Sequence, residues 1–353
     1  MSKYWSETVK RIEPYVPGEQ PRDRKYIKLN TNENPYPPSP NAIEAIKRSA
    51  DETLRLYPDP ECDDLREAIA CDNGLRKEQV FVGNGSDEVL AFAFIAFFDR
   101  GREIVFPDIT YTFYPVYAKL FNIKYRLLPL DPEFNIPYEG FFRENGGVIF
   151  PNPNAPTSKV LPLAAIEKVL QNNPDSVVII DEAYIDFGGE TSTGFIGRYP
   201  NLLIIRTLSK SHSLAGLRVG FALGNEELIE GLNRVKNSIN SYTLDRIALA
   251  GAAAAITDRD YFLETRAKVI RTREYVVEKL NRMGFSVLDS KANFVFITHP
   301  GIPAELLFKK LRERGILVRY FAKPRIDNYL RVSIGSDEDM NCFLDALGEI
   351  IKT

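Results

Sequence analysis

The sequence is poor in the residues that carry several common kinds of chemistry. Its 353 residues include 2 histidines, 3 cysteines and 1 tryptophan. The histidines, His212 and His299, are too few for the clusters that usually hold catalytic metals. The cysteines form no C-x-x-C pair, so neither a disulfide framework nor a zinc site is predicted. We therefore expect no metal site and little chemistry based on histidine.

Long hydrophobic runs and an excess of one charge are also missing. The longest apolar run, Val89–Phe98, falls short of the roughly 18 residues that a membrane-spanning helix needs. Residues 1–15 contain no apolar segment typical of a secretion signal. With 45 Lys+Arg against 48 Asp+Glu, the charge is too balanced for a dedicated nucleic-acid binder. We expect a cytoplasmic protein that binds neither membranes nor nucleic acid.

The composition is that of an ordinary globular protein, with 44% hydrophobic and 26% charged residues. Between about residues 60 and 230, short β-branched runs alternate with helical segments. This alternation predicts an α/β fold with a mostly parallel sheet and helices on both faces. The predicted helix 86–98 follows a strand at 80–82, and further strands are predicted at 103–106, 148–150, 177–180 and 202–205.

Residues beyond about 260 follow a different pattern. A long helix, two strands, a helix, two strands (316–319 and 330–334) and a final helix predict a small α+β unit. The first 40 residues are rich in Pro, Asn and Tyr, and they predict an extended arm without a long helix. We expect an N-terminal arm at 1–40, a large cofactor-binding domain at 41–250 and a small C-terminal domain at 251–353.

Polar clusters follow several of the predicted strands. PNPNAPT comes after the strand at 148–150, DEAY (181–184) after the strand at 177–180, and RTLSKSHS after the strand at 202–205. Because ligands bind beyond the carboxyl ends of parallel strands, these clusters should share one crevice. The loop GNGSDE (83–88) opens a helix, where free N–H groups attract phosphate, although an ordinary strand-to-helix turn would look the same.

Lys210 lies among serines after an apolar strand. Burying a lysine in such a place is costly unless it has an anionic partner or a catalytic role. A desolvated lysine has a lowered pKa and can form a Schiff base. A solvated loop is the alternative. The neighbouring motifs favour pyridoxal phosphate chemistry, which needs a lysine, a carboxylate for the ring nitrogen, a phosphate cup and a stacked aromatic ring. Asp181 could pair with the ring nitrogen, and Tyr184 could bond the ring hydroxyl.

The motif series resembles the fold-type I pyridoxal phosphate aminotransferases along nearly the whole chain. It comprises NPNAPT (152–157), DEAY (181–184), Lys210 with Arg218 eight residues later, and LRVSIG (330–335). Within that family, other segments are similar to the branch that acts on histidinol phosphate. These are EPY (13–15), LNTNENPYPPSP (29–40), YPDP (57–60), GNGSDE (83–88) and the paired arginines near the C-terminus.

The resemblance implies a role for each matching residue. Lys210 would hold pyridoxal 5'-phosphate and then move the proton, and Asp181 would balance the ring nitrogen. Tyr57 matches a residue that the family contributes from the neighbouring subunit, which implies a homodimer with shared active sites. The other positions expected to bind the cofactor are Ser86, Asp87, Tyr111, Asn154, Tyr184, Thr207, Ser209 and Arg218.

For the substrate, Arg319 and Arg331 match arginines that receive anionic groups, with Tyr15 and Asn32 as further contacts. The resemblance implies amino transfer between histidinol phosphate and 2-oxoglutarate, with imidazole-acetol phosphate and glutamate as substrates in the biosynthetic direction. An aromatic amino acid aminotransferase and a threonine-phosphate decarboxylase are alternatives within the same chemistry. A non-catalytic regulator is disfavoured because no additional DNA-binding segment is visible.

Two features depart from the simplest pattern. The family often reads N-P-x-N-P-T-G, whereas Ala155 and Ser158 stand at the second asparagine and the glycine here. Asn154 or Asn152 would then have to contact the cofactor hydroxyl. His212 lies two residues after the lysine, and we expect it to line the loop rather than act as a base, since Lys210 already supplies the proton transfer.

Overall fold

A computed structural model describes residues 2–16 and 18–352. The strands are β1 (Ile27–Lys28), β2 (Val80–Asn84), β3 (Ile104–Pro107), β4 (Tyr125–Leu128), β5 (Val148–Pro151), β6 (Val178–Asp181), β7 (Leu202–Thr207), β8 (Val219–Gly224), β9 (Ser286–Val287), β10 (Phe294–Thr298), β11 (Ile316–Leu317), β12 (Arg319–Tyr320) and β13 (Leu330–Ser333). The helices are α1 (Glu7–Arg11), α2 (Pro40–Ser49), α3 (Asp63–Asn73), α4 (Gly85–Phe97), α5 (Phe113–Phe121), α6 (Leu163–Gln171), α7 (Glu226–Ile239), α8 (Arg246–Thr257), α9 (Arg259–Arg282), α10 (Ala304–Glu313) and α11 (Asp337–Ile351).

Seven strands form one large sheet in the order β2-β8-β7-β6-β5-β3-β4. All neighbouring pairs run parallel except those of β8, which is antiparallel to β2 and to β7. Every residue of β3, β5 and β6 is buried, as expected for strands covered on both faces. The predicted α/β class with a mostly parallel sheet is confirmed.

Alternating side chains of the central strands face two separate apolar cores. Ile179 and Leu203 pack with residues of α4, α5 and α7, whereas Ile180 and Ile204 pack with residues of α3, α6 and α8. This alternation is the period of two that a strand imposes on its side chains. Helices therefore cover both faces of the sheet and leave the carboxyl ends of its parallel strands open along one edge.

A smaller antiparallel sheet, β12-β13-β10-β9, is built from the C-terminal residues. Side chains of α9, α10 and α11 pack in the apolar cluster of this unit. The prediction of one strand at 316–319 is wrong, because the segment divides at the buried residue Val318. β11 pairs with β1 of the arm, and β12 pairs with β13. The proposed domain boundaries stay a prediction.

In the described residues of the N-terminal arm before Pro40, the regular elements are one short helix, α1, and the two-residue strand β1. The prediction of a stretch without a long helix is confirmed. The first long helix, α2, begins at Pro40, where Ser39 Oγ accepts hydrogen bonds from the N–H groups of Asn41 and Ala42. Within residues 2–16 and 18–352, no helix is long and apolar enough to cross a membrane.

Candidate active site

A cavity of about 330 Å³ lies where β2, β5, β6 and β7 end. The N-terminal arm and the small sheet complete its walls. Thirteen of the fifteen predicted site residues line it: Tyr15, Asn32, Ser86, Asp87, Tyr111, Asp181, Tyr184, Thr207, Ser209, Lys210, Arg218, Arg319 and Arg331. The polar clusters therefore converge on one crevice, as the parallel topology predicts.

Lys210 lies in the loop that follows β7 and points its amine into the cavity. Its Nζ donates a hydrogen bond to the carbonyl of Thr31, at 3.2 Å, and lies 5.8 Å from the centre of the Tyr184 ring. Asn34 Nδ2 donates a hydrogen bond to the backbone carbonyl of Lys210 at 2.9 Å. The amine thus has no carboxylate partner among the described residues, which leaves it available for covalent chemistry.

Asp181 ends β6 and is buried, with 5% of its surface exposed. Burial raises the pKa of this carboxyl to about 6, although hydrogen bonds from the Tyr114 hydroxyl and the Ala183 N–H act to lower it. The Tyr114 hydroxyl donates to Oδ2 at 3.0 Å, and the Ala183 N–H donates to Oδ1 at 3.2 Å. A buried carboxylate without a cationic partner is suited to a positively charged nitrogen supplied by a ligand.

The glycine loop and the start of α4 form a cradle suited to an anion. Gly85 has a φ of +79°, and a Cβ there would lie 2.5 Å from Arg218 Nη2. A Cβ on Gly220 would lie 2.2 Å from the backbone nitrogen of Ser86. The two glycines let the helix N-terminus, β8 and Arg218 approach closely, with the hydroxyls of Thr207 and Ser209 beside them. This arrangement offers N–H, hydroxyl and guanidinium donors to a phosphate.

Asp87 contributes to this cradle through other residues. One carboxylate oxygen accepts from the Tyr111 hydroxyl at 2.8 Å, and the other lies 3.2 Å from Arg218 Nη2. Burial, followed by the negative charge of Asp87, raises the pKa of Tyr111 well above its usual value. The Asp87 side chain therefore orients the aromatic ring and the arginine, and only its backbone N–H is suited to an anion.

Arg319 and Arg331 line the same cavity, and neither lies within 4 Å of a carboxylate in the described part of the chain. Arg331 Nη2 donates to the Asn30 carbonyl at 3.0 Å, while its buried Nε has no partner. Burial lowers the pKa of Arg331. By contrast, Arg325 forms an ion pair with Asp108, at 3.0 Å, and donates hydrogen bonds to two backbone carbonyls. The cavity thus presents two arginines to an incoming anion.

The arm contributes Tyr15 and Asn32 to the wall. Tyr15 stacks on Phe113 with ring centres 4.3 Å apart. Asn32 has a φ of +56° and donates from Nδ2 to the Tyr184 hydroxyl at 3.0 Å. Its backbone N–H donates to Ser333 Oγ at 2.8 Å. Asn32 therefore connects the arm to the small sheet through Ser333, and to Tyr184, the residue predicted to bond the cofactor's ring hydroxyl.

Two predicted residues lie outside the cavity wall. The Asn154 amide donates to the Ile109 carbonyl and to Thr157 Oγ1, and its buried Oδ1 has no partner, while the neighbouring Ala155 lines the cavity. Tyr57 is 78% exposed and stacks on Tyr242. Asn152, the other candidate for the hydroxyl contact, is bonded to the backbone of Leu161. Both assigned roles stay predictions.

Several contributors were missed in the sequence. The Tyr114 hydroxyl donates a hydrogen bond to Asp181. Asn34 donates to the backbone carbonyl of Lys210, and the Thr31 carbonyl accepts a hydrogen bond from the Lys210 amine. Asn34 and Thr31 belong to the segment 29–40, which the sequence analysis singled out. The motif therefore pointed to these residues but did not indicate what each of them contacts. His212 lies behind the loop, where it stacks on Phe262 and its Nδ1 lies 3.1 Å from Ser211 Oγ. It does not line the cavity.

Comparisons with known proteins identify the family of this chain. The family model described as "Aminotransferase class I and II" matches residues 24–347. The chain is 62% identical to a histidinol-phosphate aminotransferase from Clostridium acetobutylicum, covering 99% of this chain and 100% of that protein. It is 56% identical to a protein of the same name from Clostridium beijerinckii, covering 100% and 98%.

Solved structures show the same fold. The crystal structure of a histidinol-phosphate aminotransferase from Clostridium acetobutylicum is 26% identical and has a TM-score of 0.85, covering 92% of this chain and 99% of that one. A structure of the Sinorhizobium meliloti enzyme of that name, in complex with pyridoxal-5'-phosphate, has a TM-score of 0.90 at 24% identity, covering 100% and 98%. Since the family model spans most of the chain and the relatives match it end to end, this chain belongs to the class I and II aminotransferases.

Proposed function

We propose that this protein transfers an amino group between histidinol phosphate and 2-oxoglutarate. In the biosynthetic direction it would convert imidazole-acetol phosphate and glutamate, as a step of histidine synthesis. The observation that carries this proposal is a pair of arginines without carboxylate partners, Arg319 and Arg331, in the same cavity as the free amine of Lys210. Two such arginines suit a site that takes a phosphate in one half-reaction and a dicarboxylate in the other. The relatives' names point to the same substrate.

The residues present fit pyridoxal 5'-phosphate. Gly85 and Gly220 let the N-terminus of α4, β8 and Arg218 come close enough together to form the anion cradle. Thr207, Ser209, Arg218 and the N-terminus of α4 would hold its phosphate, and Tyr111 would stack on its ring. When bound, this cofactor supplies an electron sink for the bond that breaks at the substrate carbon.

The protein's own groups would then do four things. Lys210 Nζ would hold the cofactor and afterwards carry the proton to and from the substrate carbon that bears the amine. Asp181 Oδ2, with its hydrogen bond from Tyr114, would keep the ring nitrogen protonated. Tyr184, oriented by Asn32, would donate to the ring hydroxyl. Arg319 and Arg331 would orient the anionic end of the substrate.

We propose further that the active enzyme is a homodimer. Tyr57 lies outside its own cavity and is largely exposed, so its predicted contact with the cofactor requires a second copy. Exposed Tyr242 stacks on it, and the exposed Leu54 and Leu56 lie just before it in the chain, which together offer apolar surface to that copy. A cytoplasmic location is also proposed, supported by the three cysteines, all of which are free thiols.

The competing function is aromatic amino acid transfer, because aromatic rings line the cavity. Steady-state assays with histidinol phosphate, phenylalanine and tyrosine as donors to 2-oxoglutarate separate the two. The account predicts parallel double-reciprocal plots, as expected for ping-pong kinetics, and a kcat/KM at least about a hundredfold higher for histidinol phosphate than for phenylalanine. Equal values for the two donors would reassign the enzyme as an aromatic aminotransferase. Release of carbon dioxide from threonine phosphate would point to the decarboxylase.

A further inference from the structure

One charged residue of the cavity has no part in the proposed reaction. The described residues that line the cavity include Lys210, Arg218, Arg319 and Arg331 as cations and Glu33, Asp87 and Asp181 as anions. Asp87 is engaged by Arg218 and Tyr111, and Asp181 is reserved for the ring nitrogen. Glu33 is the carboxylate that remains.

The geometry places Glu33 beside the reactive amine. Its Oε2 accepts a hydrogen bond from the Thr31 hydroxyl at 2.9 Å, and the carbonyl of that same threonine accepts from Lys210 Nζ at 3.2 Å. Its Oε1 lies 2.7 Å from Lys28 Nζ. The Glu33 side chain is still 43% exposed. A carboxylate has about four acceptor positions, so it can take another donor from the cavity.

The charge of Glu33 is maintained by these contacts. Burial acts to raise the pKa of its carboxyl, but hydrogen bonds from Lys28 and Thr31 and the positive charges of Lys28 and Lys210 lower it overall. The group is therefore ionised at neutral pH. The two arginines, in contrast, attract the anionic end of a ligand. A ligand that fills this cavity should combine an anion with a hydrogen-bond donor or cation.

Histidinol phosphate has this combination, since its imidazole ring carries an N–H donor and is close to protonation at neutral pH. A phenyl ring has no donor to offer. We propose that Glu33 is the specificity-determining residue that accepts a hydrogen bond from the imidazole ring of the substrate, with Lys28 holding its carboxylate in place. This inference rests on the proposed function and assigns a recognition group to that same site.

The test compares kcat/KM for histidinol phosphate and for glutamate in wild type and in the variants Glu33→Ala, Glu33→Gln and Lys28→Met. A hydrogen bond to a charged group predicts a loss on the order of 10- to 100-fold for histidinol phosphate in Glu33→Ala. Glutamate has no imidazole, so its value should stay within about threefold or improve. Glu33→Gln keeps an acceptor and should fall between wild type and Glu33→Ala. Lys28→Met keeps the carboxylate but removes the ion pair that holds it in place, so its loss on histidinol phosphate should be smaller than that of Glu33→Ala.

The outcomes separate this inference from the proposed function. Wild type that fails to use histidinol phosphate would refute the proposed function itself. If wild type uses it, an unchanged Glu33→Ala variant, or one that loses activity equally on both substrates, would overturn the role of Glu33. A loss in Lys28→Met as large as that in Glu33→Ala would also overturn it, because the ion pair would then be shaping the loop.

Discussion

At the scale of single residues, Lys210 has the central role in the proposed chemistry and should contribute little to the stability. Its amine makes one hydrogen bond, to the Thr31 carbonyl, and the side chain is only partly buried. Lys210→Ala should therefore abolish turnover while the midpoint of thermal unfolding changes by no more than a few degrees. Lys47→Ala, on the surface of α2, is the matched control and should keep full activity. Activity near wild type in Lys210→Ala would contradict the assignment.

Asp181, unlike Lys210, should affect the stability of the protein. Its buried charge should lower the free energy of unfolding, while the proposed reaction depends on that charge. Its folded-state pKa of about 6 lies above its usual value of 3.8, so the folded protein binds this proton more tightly than the unfolded chain. Stability contributed by protonation is therefore present at low pH and is lost as pH rises through 6. Above that pH the buried charge costs about 3 kcal/mol.

Asp181→Asn removes that charge and keeps an acceptor for Tyr114. In the cofactor-free protein, we expect the free energy of unfolding at pH 7.5 to rise by up to about 3 kcal/mol, with the gain vanishing at about pH 3, below the usual pKa of the carboxyl. Turnover should fall by at least about a hundredfold, a larger loss than that from Thr207→Ala. Denaturant titrations at the two pH values measure the first effect. A variant less stable than wild type at pH 7.5 would contradict the account.

At the scale of elements, the site depends on how closely β8 approaches the start of α4. A Cβ on Gly220 would lie 2.2 Å from the Ser86 nitrogen, so Gly220→Ala must push the cradle apart. We expect a loss of about 1–3 kcal/mol in stability and weaker retention of pyridoxal phosphate. Gly194→Ala is the control, because nothing lies within 4 Å of its added Cβ. Unfolding curves and cofactor titrations of both variants test this.

Much of the sheet could be predicted from the sequence because its central strands are continuous apolar runs. β5, β6 and β7 follow that pattern, and each is followed by a polar cluster. β8 was missed since its sequence VGFALG contains two glycines, which are poor strand formers. The division of residues 316–319 between two sheets was also missed. β11 and β12 are distinguished by the strands they pair with, β1 and β13, and the local sequence does not show that pairing.

The site was predictable where a motif fixes a residue at a strand end, as for Asp181 and Lys210. It was not predictable where a contact crosses the fold. The Tyr114 hydroxyl reaches Asp181 from a different segment, and Arg331 reaches the Asn30 carbonyl of the arm. Glu33 stood in a quoted motif, yet its neighbours Lys28 and Thr31 gave no sign of a shared cavity. Such pairings depend on the packed structure.

At the scale of the whole molecule, a shared active site predicts complementation between two inactive variants. Tyr57→Ala and Lys210→Ala homodimers should each be nearly inactive. A hybrid dimer joins Lys210 of one subunit to Tyr57 of the other and so contains one intact site. Mixing the unfolded variants in equal amounts and refolding them should restore about a quarter of wild-type activity, because about half of the dimers are hybrids.

The mass in solution is the control for that experiment. Sedimentation of the wild-type protein should give about twice the chain mass of 40.0 kDa. Failure of the mixture to recover activity, with dimers present, would show that Tyr57 does not complete the partner's site.

The most direct test of the central claim is a visible absorption titration of the purified, cofactor-loaded protein with histidinol phosphate, with phenylalanine as the matched control. This titration follows the first half-reaction alone, without a second substrate. The account predicts that the band of the lysine-bound cofactor disappears at much lower concentrations of histidinol phosphate than of phenylalanine. An equal or better response to phenylalanine would contradict the assigned substrate. Absence of the band after pyridoxal phosphate is added would contradict the catalytic role of Lys210.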